Sequence, residues 1–515
     1  MELDTLTDSG LCVHQPPLFA AAIVLQPVSS LHAPDTVRPP FRTLFPAIML
    51  PMFLAVVDQT IVATALPAIG LEFGSFERLS WIMVAYLVAL TISAPIFGVL
   101  GDNFGRRRLL LVALGLVAFF SVTCAFATSV EMLAVGRFAQ GLGAGGLMTL
   151  SQALIGEAVP PRDRGYFQSY TASVAVTANS FGPVLGGILA EHLGWQSVFL
   201  VNLPIAAAAA ALVWRLPGRS AVGEDFRFDY PGVLLFALLI SSSLLAMEQL
   251  QDPANLSWPL LASLLGLAAI ALPALIWRER RAILPLLPLS LLGHPAIWRS
   301  DTLAFLHGAC MVSLVTFVPI YLCVVHGVTP AQAGLLMLPM TASIGIGSIL
   351  TGRLASKTGR TAIFPSIGLS AVSLCMFAFA WHSPYLSVAM ASVALGVTSF
   401  FMGSVMAVVQ ITVQWAAGPH HLGRAAASVQ LARSLGAAFG TALVGTLIFM
   451  VLNLSENDVG LTLSDILSRD TGALGAMAPA IREDIAAAFQ TGFFAVAGLA
   501  GIASAIAWTL PLRRI

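Results

Sequence analysis

Asp58 stands inside an apolar run, Leu54 to Pro67, that reads Leu-Ala-Val-Val-Asp-Gln-Thr-Ile-Val-Ala-Thr-Ala-Leu-Pro. The stretch from Leu44 to Ile69 is long enough to cross a bilayer, which takes ~20 apolar residues, and Asp58 falls near its centre. A carboxylate at that depth costs about 2.5 to 3.5 kcal/mol even on lenient insertion scales. Burial favours the protonated form, so Asp58 can hold or release a proton according to which side's water reaches it. Two readings are open: a proton-coupling site, or a structural aspartate tied to a hydroxyl or amide of a neighbouring helix. Arg137 is the second residue of this kind. Arg137, Gln140, Gly141 and Ala144 follow i, i+3, i+4, i+7 and share one helix face. A guanidinium keeps its proton, so inside a membrane it needs an acceptor or water. Its approach to Asp58 favours the carboxylate and expels the proton; withdrawal lets the proton return. The alternative is a structural arginine bonded to helix carbonyls or loop water.

Two further groups have a defined spacing. Asn179, Gly182, Pro183 and Gly186 fall on one face, and Gly182 to Gly186 is a small-xxx-small seam that lets helices approach closely. Pro183 frees a carbonyl and bends its helix. The stretch Gly98-Val-Leu-Gly-Asp-Asn-Phe-Gly-Arg-Arg107 suits a tight reversal between helices, with Gly98 and Gly105 at the close approaches. There Asp102 can cap or salt-bridge a helix end, and Arg106 to Arg108 anchor one membrane face. This loop reads as a conformational latch, or as a topology determinant alone. His307, Gln410, Gln430, Asn179 and Tyr86 are also embedded, and two readings are open: they line the cavity, or, as is commoner for a lone His or Gln, they are packed, satisfied side chains; none is singled out.

The elements that must position these residues are membrane helices. The chain has 515 residues, 57% hydrophobic and 10% charged, with mean hydropathy +0.88, whereas a soluble domain is about 25% charged. Runs of spanning length lie near 44–69, 80–101, 109–128, 132–156, 167–190 and 197–214, then 231–247 and 258–277, then 299–325, 333–352, 361–381, 385–410, 425–452 and 490–511, which makes 14 spans. The expected fold is an all-α polytopic membrane protein: two six-helix halves, 44–214 and 278–515, with two extra central helices in 215–277. A 1–43 tail precedes them and an outer loop, 453–489, precedes the last helix.

Alternate loops carry 16 Lys and Arg residues against three on the other side. That places both termini in the cytoplasm, because basic loops are retained there. An internal repeat supports two equivalent halves: Gly98, Leu100, Gly105 and Arg106 recur 254 residues later as Gly352, Leu354, Gly359 and Arg360, with Ser356 in place of Asp102. The 25 basic and 25 acidic residues cancel, which gives no reason to expect a nucleic-acid partner. The five cysteines show no paired spacing, so neither a metal site nor a disulfide framework is expected.

These residues resemble the major facilitator superfamily, and the 14-span count with the Asp58 motif resembles its drug:proton antiporter branch. The resemblance covers about residues 44 to 511. The first-helix motif matches Asp58, Thr60, Ile61, Val62, Ala65, Leu66 and Pro67. The loop motif matches Gly98, Leu100, Asp102, Gly105, Arg106 and Arg107, departing at Gly101 and Asn103. The fourth-helix motif matches Arg137, Gln140, Gly141 and Gly143. The antiporter motif matches Gly182, Pro183, Gly186 and Gly187, with Ala178 where the pattern has glycine. The resemblance implies proton-coupled export of lipophilic compounds by alternating access, from the inner (plasma) membrane. Asp58 and Arg137 would couple the proton and the Asp102 loop would act as gate. It implies a small-molecule substrate and protons as partners, with a periplasmic adaptor and an outer-membrane channel in some relatives. The rivals are export of one endogenous metabolite, such as a siderophore or amino acid, and a non-transporting sensor. No cofactor is expected. The single lysine, Lys357, follows Ser356, so the chain has no phosphate-binding G-x-x-x-x-G-K-[ST] loop, and an ion gradient must supply the work.

Overall fold

The structure is a computed structural model that describes residues 41–73, 79–160, 163–218, 228–251, 256–282, 284–287, 289–453 and 479–511. Most of the expected tail 1–43 lies outside the described residues, as do 219–227 of the expected linker and 454–478 of the expected outer loop.

Long helices follow one another: α1 (Phe41–Phe73), α2 (Ser80–Phe104), α3 (Arg106–Ala125), α4 (Val130–Ala158) and α5 (Arg164–Leu193). The sixth passage is made of two pieces, α6 (Ser197–Leu200) and α7 (Asn202–Trp214). Pro204 explains the break, because it has no N–H to give to the carbonyl four residues back. A hairpin of α8 (Tyr230–Gln251) and α9 (Trp258–Glu279) comes next. The rest comprises α10 (Leu289–Leu292), α11 (Pro295–His326), α12 (Pro330–Leu336), α13 (Leu338–Thr358), α14 (Ile363–His382), α15 (Val388–Met402), α16 (Ser404–Ala417), α17 (Leu422–Asn453) and α18 (Pro479–Trp508). The last helix thus starts at Pro479 rather than near 490.

Among the described residues, thirteen helical segments are long and apolar enough to cross a membrane. The fourth expected span, α4, is not among them although it has 29 residues. Glycines and the charged Glu131, Arg137 and Glu157 lower its hydropathy. It packs against α1, α2, α3 and α17, so its surface meets protein and need not be as apolar as a lipid-facing one. Ser129 opens it by accepting a bond from the Met132 N–H at 3.1 Å, a standard cap for an orphan donor.

The sequence repeat is also a structural one. α1 begins at 41 and α11 at 295, α2 ends at 104 and α13 at 358, both separated by 254 residues. Gly105 and Gly359 each end their helix at a positive φ, 91° and 64°, a region where a β-carbon is strained. The extra hairpin is fastened at its ends: Asp229 pairs with Arg278 at 2.8 Å, and Glu279 accepts from the Leu286 and Leu287 N–H groups at 3.2 Å each. Phe236 and Ile240 of α8 pack with Val88 and Ile92 of α2, and with Leu431 and Leu435 of α17.

Candidate functional site

α1 brings Asp58 to the middle of the first half, where its side chain is 1% exposed. Arg137 of α4, 0% exposed, donates through Nη1 to Asp58 Oδ2 at 2.6 Å. Gln140, one turn further along α4, donates to Asp58 Oδ1 at 2.9 Å and accepts from Arg137 Nη1 at 2.7 Å. Asn202, the first residue of α7, donates to the same Oδ1 at 2.6 Å. Ser121 of α3 ties the two amides together, accepting from Gln140 at 2.8 Å and from Asn202 at 3.2 Å. The Arg137 guanidinium lies over the Tyr86 ring of α2, 3.9 Å from its centroid. Tyr86 in turn donates to the Ala55 carbonyl of α1 at 3.1 Å. Five elements therefore converge on one carboxylate.

The arrangement answers the cost of burial. A buried carboxylate with one cation and two amide donors is held because each charge has its partner; removing one member of such a pair typically costs about 3 to 5 kcal/mol. The aromatic face under Arg137 adds an attraction of about 0.5 to 2 kcal/mol. The knot also divides its half: Leu54, Ala55, Tyr86 and Ala144 belong to one apolar cluster, and Val57, Ile61, Val198 and Phe199 to another. In the second half, 254 residues on, Val312, Ala391 and Ala394 stand where Asp58, Arg137 and Gln140 stood. One continuous cluster runs through that half instead. The two halves share a fold and differ in chemistry.

Sequence reasoning expected the Asp58 and Arg137 pair and placed Gln140 on the right face. It missed Asn202 and Ser121; Tyr86 is a packed and satisfied side chain, buried and bonded to Ala55, and it also carries the Arg137 cation on its ring face. The only signal for Asn202 was an amide next to Leu203-Pro204 in an otherwise apolar passage.

α5 packs on α1 through two of the four residues of the antiporter motif. A β-carbon at Gly182 would collide with Thr60, and one at Gly186 would meet the Ile61 carbonyl at 2.5 Å. Gly187 faces open space and Pro183 is exposed, so neither belongs to the seam. Overpacking costs about 1 to 3 kcal/mol. Gly182→Val is therefore expected to lower the melting temperature of the detergent-solubilised protein by several degrees, while Gly187→Val leaves it within a degree. Equal shifts for both would mean that the seam is not the constraint.

The loop motif joins the halves. Asp102 accepts from the Gly423 and Arg424 N–H groups at the start of α17, at 2.9 and 3.2 Å, and from Arg106 at 2.6 Å. Arg106 also pairs with Glu157, and Arg107 lies against the Trp214 ring. Gly98 has the Gly423 carbonyl 2.7 Å from where its β-carbon would be. Nearby, Gln414 donates to the Gln152 carbonyl at 3.0 Å, and Ala153, Leu422 and Ala426 form a small apolar plug.

Residues 48–441 match the model of the Major Facilitator Superfamily. The chain belongs to the major facilitator superfamily. It is 34% identical to an uncharacterised MFS-type transporter of Mycobacterium tuberculosis over 78% of this chain, spanning 59% of that relative's length. It is 31% identical to Multidrug transporter protein MdtP of Bacillus subtilis, covering 78% of this chain and 74% of that one. In fold it is similar to the human organic anion transporter MFSD10, with TM-score 0.63 and 16% identity over 91% of this chain and all 100% of that one. The multi-pass helical architecture agrees with this family.

Proposed function

We propose that this chain is a proton-coupled exporter of lipophilic compounds, working by alternating access in the inner (plasma) membrane with both termini cytoplasmic. The observation that carries this reading is the buried Asp58, compensated by Arg137 inside one half of a major facilitator fold. Charge balance supplies the mechanism. While Arg137 touches Asp58, the carboxylate needs no proton to remain in the membrane; once Arg137 withdraws, a proton is the available replacement. On the proposed orientation the Asp102 contacts close the cytoplasmic side, so the paired form is the one that awaits a proton from outside. Protonation frees Arg137, the halves rock, and substrate binding from the cytoplasm returns the proton as the pair reforms. Relatives named as multidrug transporters and efflux pumps support export of lipophilic compounds as the direction and cargo.

Uptake of ethidium into proteoliposomes tests the reading. Protein inserted with its proposed cytoplasmic face outward, and with the lumen made acidic, is expected to accumulate the dye against its gradient and to stop when an ionophore collapses the pH difference. Accumulation that survives the ionophore would show that protons do not drive it.

A further inference from the structure

A second membrane-embedded arginine has no such carboxylate. Arg433 lies eleven residues beyond Leu422 on α17, about 16 Å along the helix axis at 1.5 Å per residue and hence near the middle of a hydrocarbon core about 30 Å thick. It is partly exposed. Its side chain bonds Gln430 Oε1 at 3.2 Å, and among the described residues it makes no ion pair with any carboxylate. α11 and α17 cross at this point, because a β-carbon at Gly308 would run into the Arg433 carbonyl. The residue before that glycine is His307, 8% exposed. Its ring is bonded to the Met402 backbone, and its Nδ1 has no partner among the described residues. Phe305 and Phe439 meet at the same crossing, their rings tilted at 38° with centroids 5.5 Å apart.

A guanidinium at mid-membrane depth with no carboxylate beside it is costly unless an anion is brought to it. One glutamine oxygen offers a dipole only. Arg137 has a carboxylate beside it in the same fold, and Arg433 has none among the described residues. The repeat makes the contrast sharper, since Arg433 occupies the position of the neutral Asn179, 254 residues earlier.

We propose that Arg433, with Gln430, forms a subsite in the second half for the carboxylate of an amphipathic substrate, separate from the Asp58 and Arg137 pair. The guanidinium fork takes the two carboxylate oxygens, and Gln430 fixes the fork. The apolar remainder of the substrate meets Phe305 and Phe439. The subsite deepens the export reading by naming a substrate class and rests on it for the direction of movement.

Binding of dansyl-undecanoic acid and of its methyl ester to the purified full chain in nonionic detergent tests this. The acid is expected to bind about tenfold more tightly than the ester, a difference worth about 1.4 kcal/mol. Arg433→Gln removes the preference, and Arg433→Lys keeps part of it as a point charge. Equal affinity of acid and ester on the parent protein overturns the proposal without any variant, and so does a preference that survives in Arg433→Gln. Should Arg433→Gln not fold, Gln430→Ala is expected to reduce the preference severalfold, and an unchanged preference there removes Gln430 and the fork geometry with it. A proteoliposome that binds the acid selectively but shows no pH-driven uptake would sink the export reading and leave the subsite standing.

Discussion

Asp58→Asn abolishes pH-driven accumulation while the protein still binds ligand. Asparagine has the shape of aspartate and keeps an acceptor for Gln140 or Asn202, but it can neither carry a proton nor neutralise Arg137. In the parent, ligand added to detergent-solubilised protein releases protons into a weakly buffered solution; in Asp58→Asn that release disappears. The transport loss is expected to exceed 100-fold, because an interaction worth about 3 to 5 kcal/mol is removed from one state of the cycle. Proton release that persists in the variant would move the coupling site elsewhere.

Loss of function by misfolding has its own test. Asp58→Asn strands Arg137, which is wholly buried and whose Nη1 gives its hydrogen bonds to Asp58 and Gln140. Asp58→Asn combined with Arg137→Gln removes both charges and is expected to recover most of the melting temperature lost in the single variant, since a neutral polar pair avoids the unpaired buried charge. The double variant still fails to release protons. Recovery of stability without recovery of coupling separates a structural pair from a functional one, the two readings that the sequence leaves open for Asp58.

What the sequence reveals and what it hides differ for a physical reason. The Asp58 and Arg137 pairing is legible because charges in apolar helices are expensive and have few chemical partners. Gly105 is legible because a reversal between two helices needs a positive φ. The Asn202 and Ser121 contacts are not, since an amide and a hydroxyl are common in membrane helices and only the convergence of α3, α4 and α7 brings them to one carboxylate. The partner of Asp102 is hidden more deeply: its donors are the backbone N–H groups of Gly423 and Arg424, which leave no side-chain signature. α4 was legible as a span from its length and motif, although composition alone leaves it out.

Asp102→Ala opens the loop-motif face. In the parent, one carboxylate satisfies two orphan N–H groups at the start of α17 and meets the positive end of that helix, across the boundary between the halves. Charge-assisted bonds of this kind contribute about 1.5 to 3 kcal/mol, so their loss shifts the balance between closed and open about 10- to 150-fold. Ala426 lies in the plug beneath them, 1% exposed and packed with Ala153 and Leu422. A cysteine placed there and labelled with maleimide, read peptide by peptide, is expected to react at least tenfold faster in the Asp102→Ala background. Unchanged labelling would leave the loop with its topological role alone, the arginines fixing orientation and nothing more. The repeat supplies the converse experiment. Gly165 at the start of α5 lies against the Gly352 carbonyl and Ser356 Oγ, each 2.7 Å from where its β-carbon would be, a near-copy of the contacts Gly423 makes with Gly98 and Asp102. Ser356 carries no charge, and its hydroxyl has no partner among the described residues, so this second contact lacks the carboxylate of the first. Ser356→Asp is therefore expected to strengthen it, slowing the labelling at position 426 and lowering the export rate together. Faster labelling in that variant would mean that the two contacts are not equivalent halves of one latch.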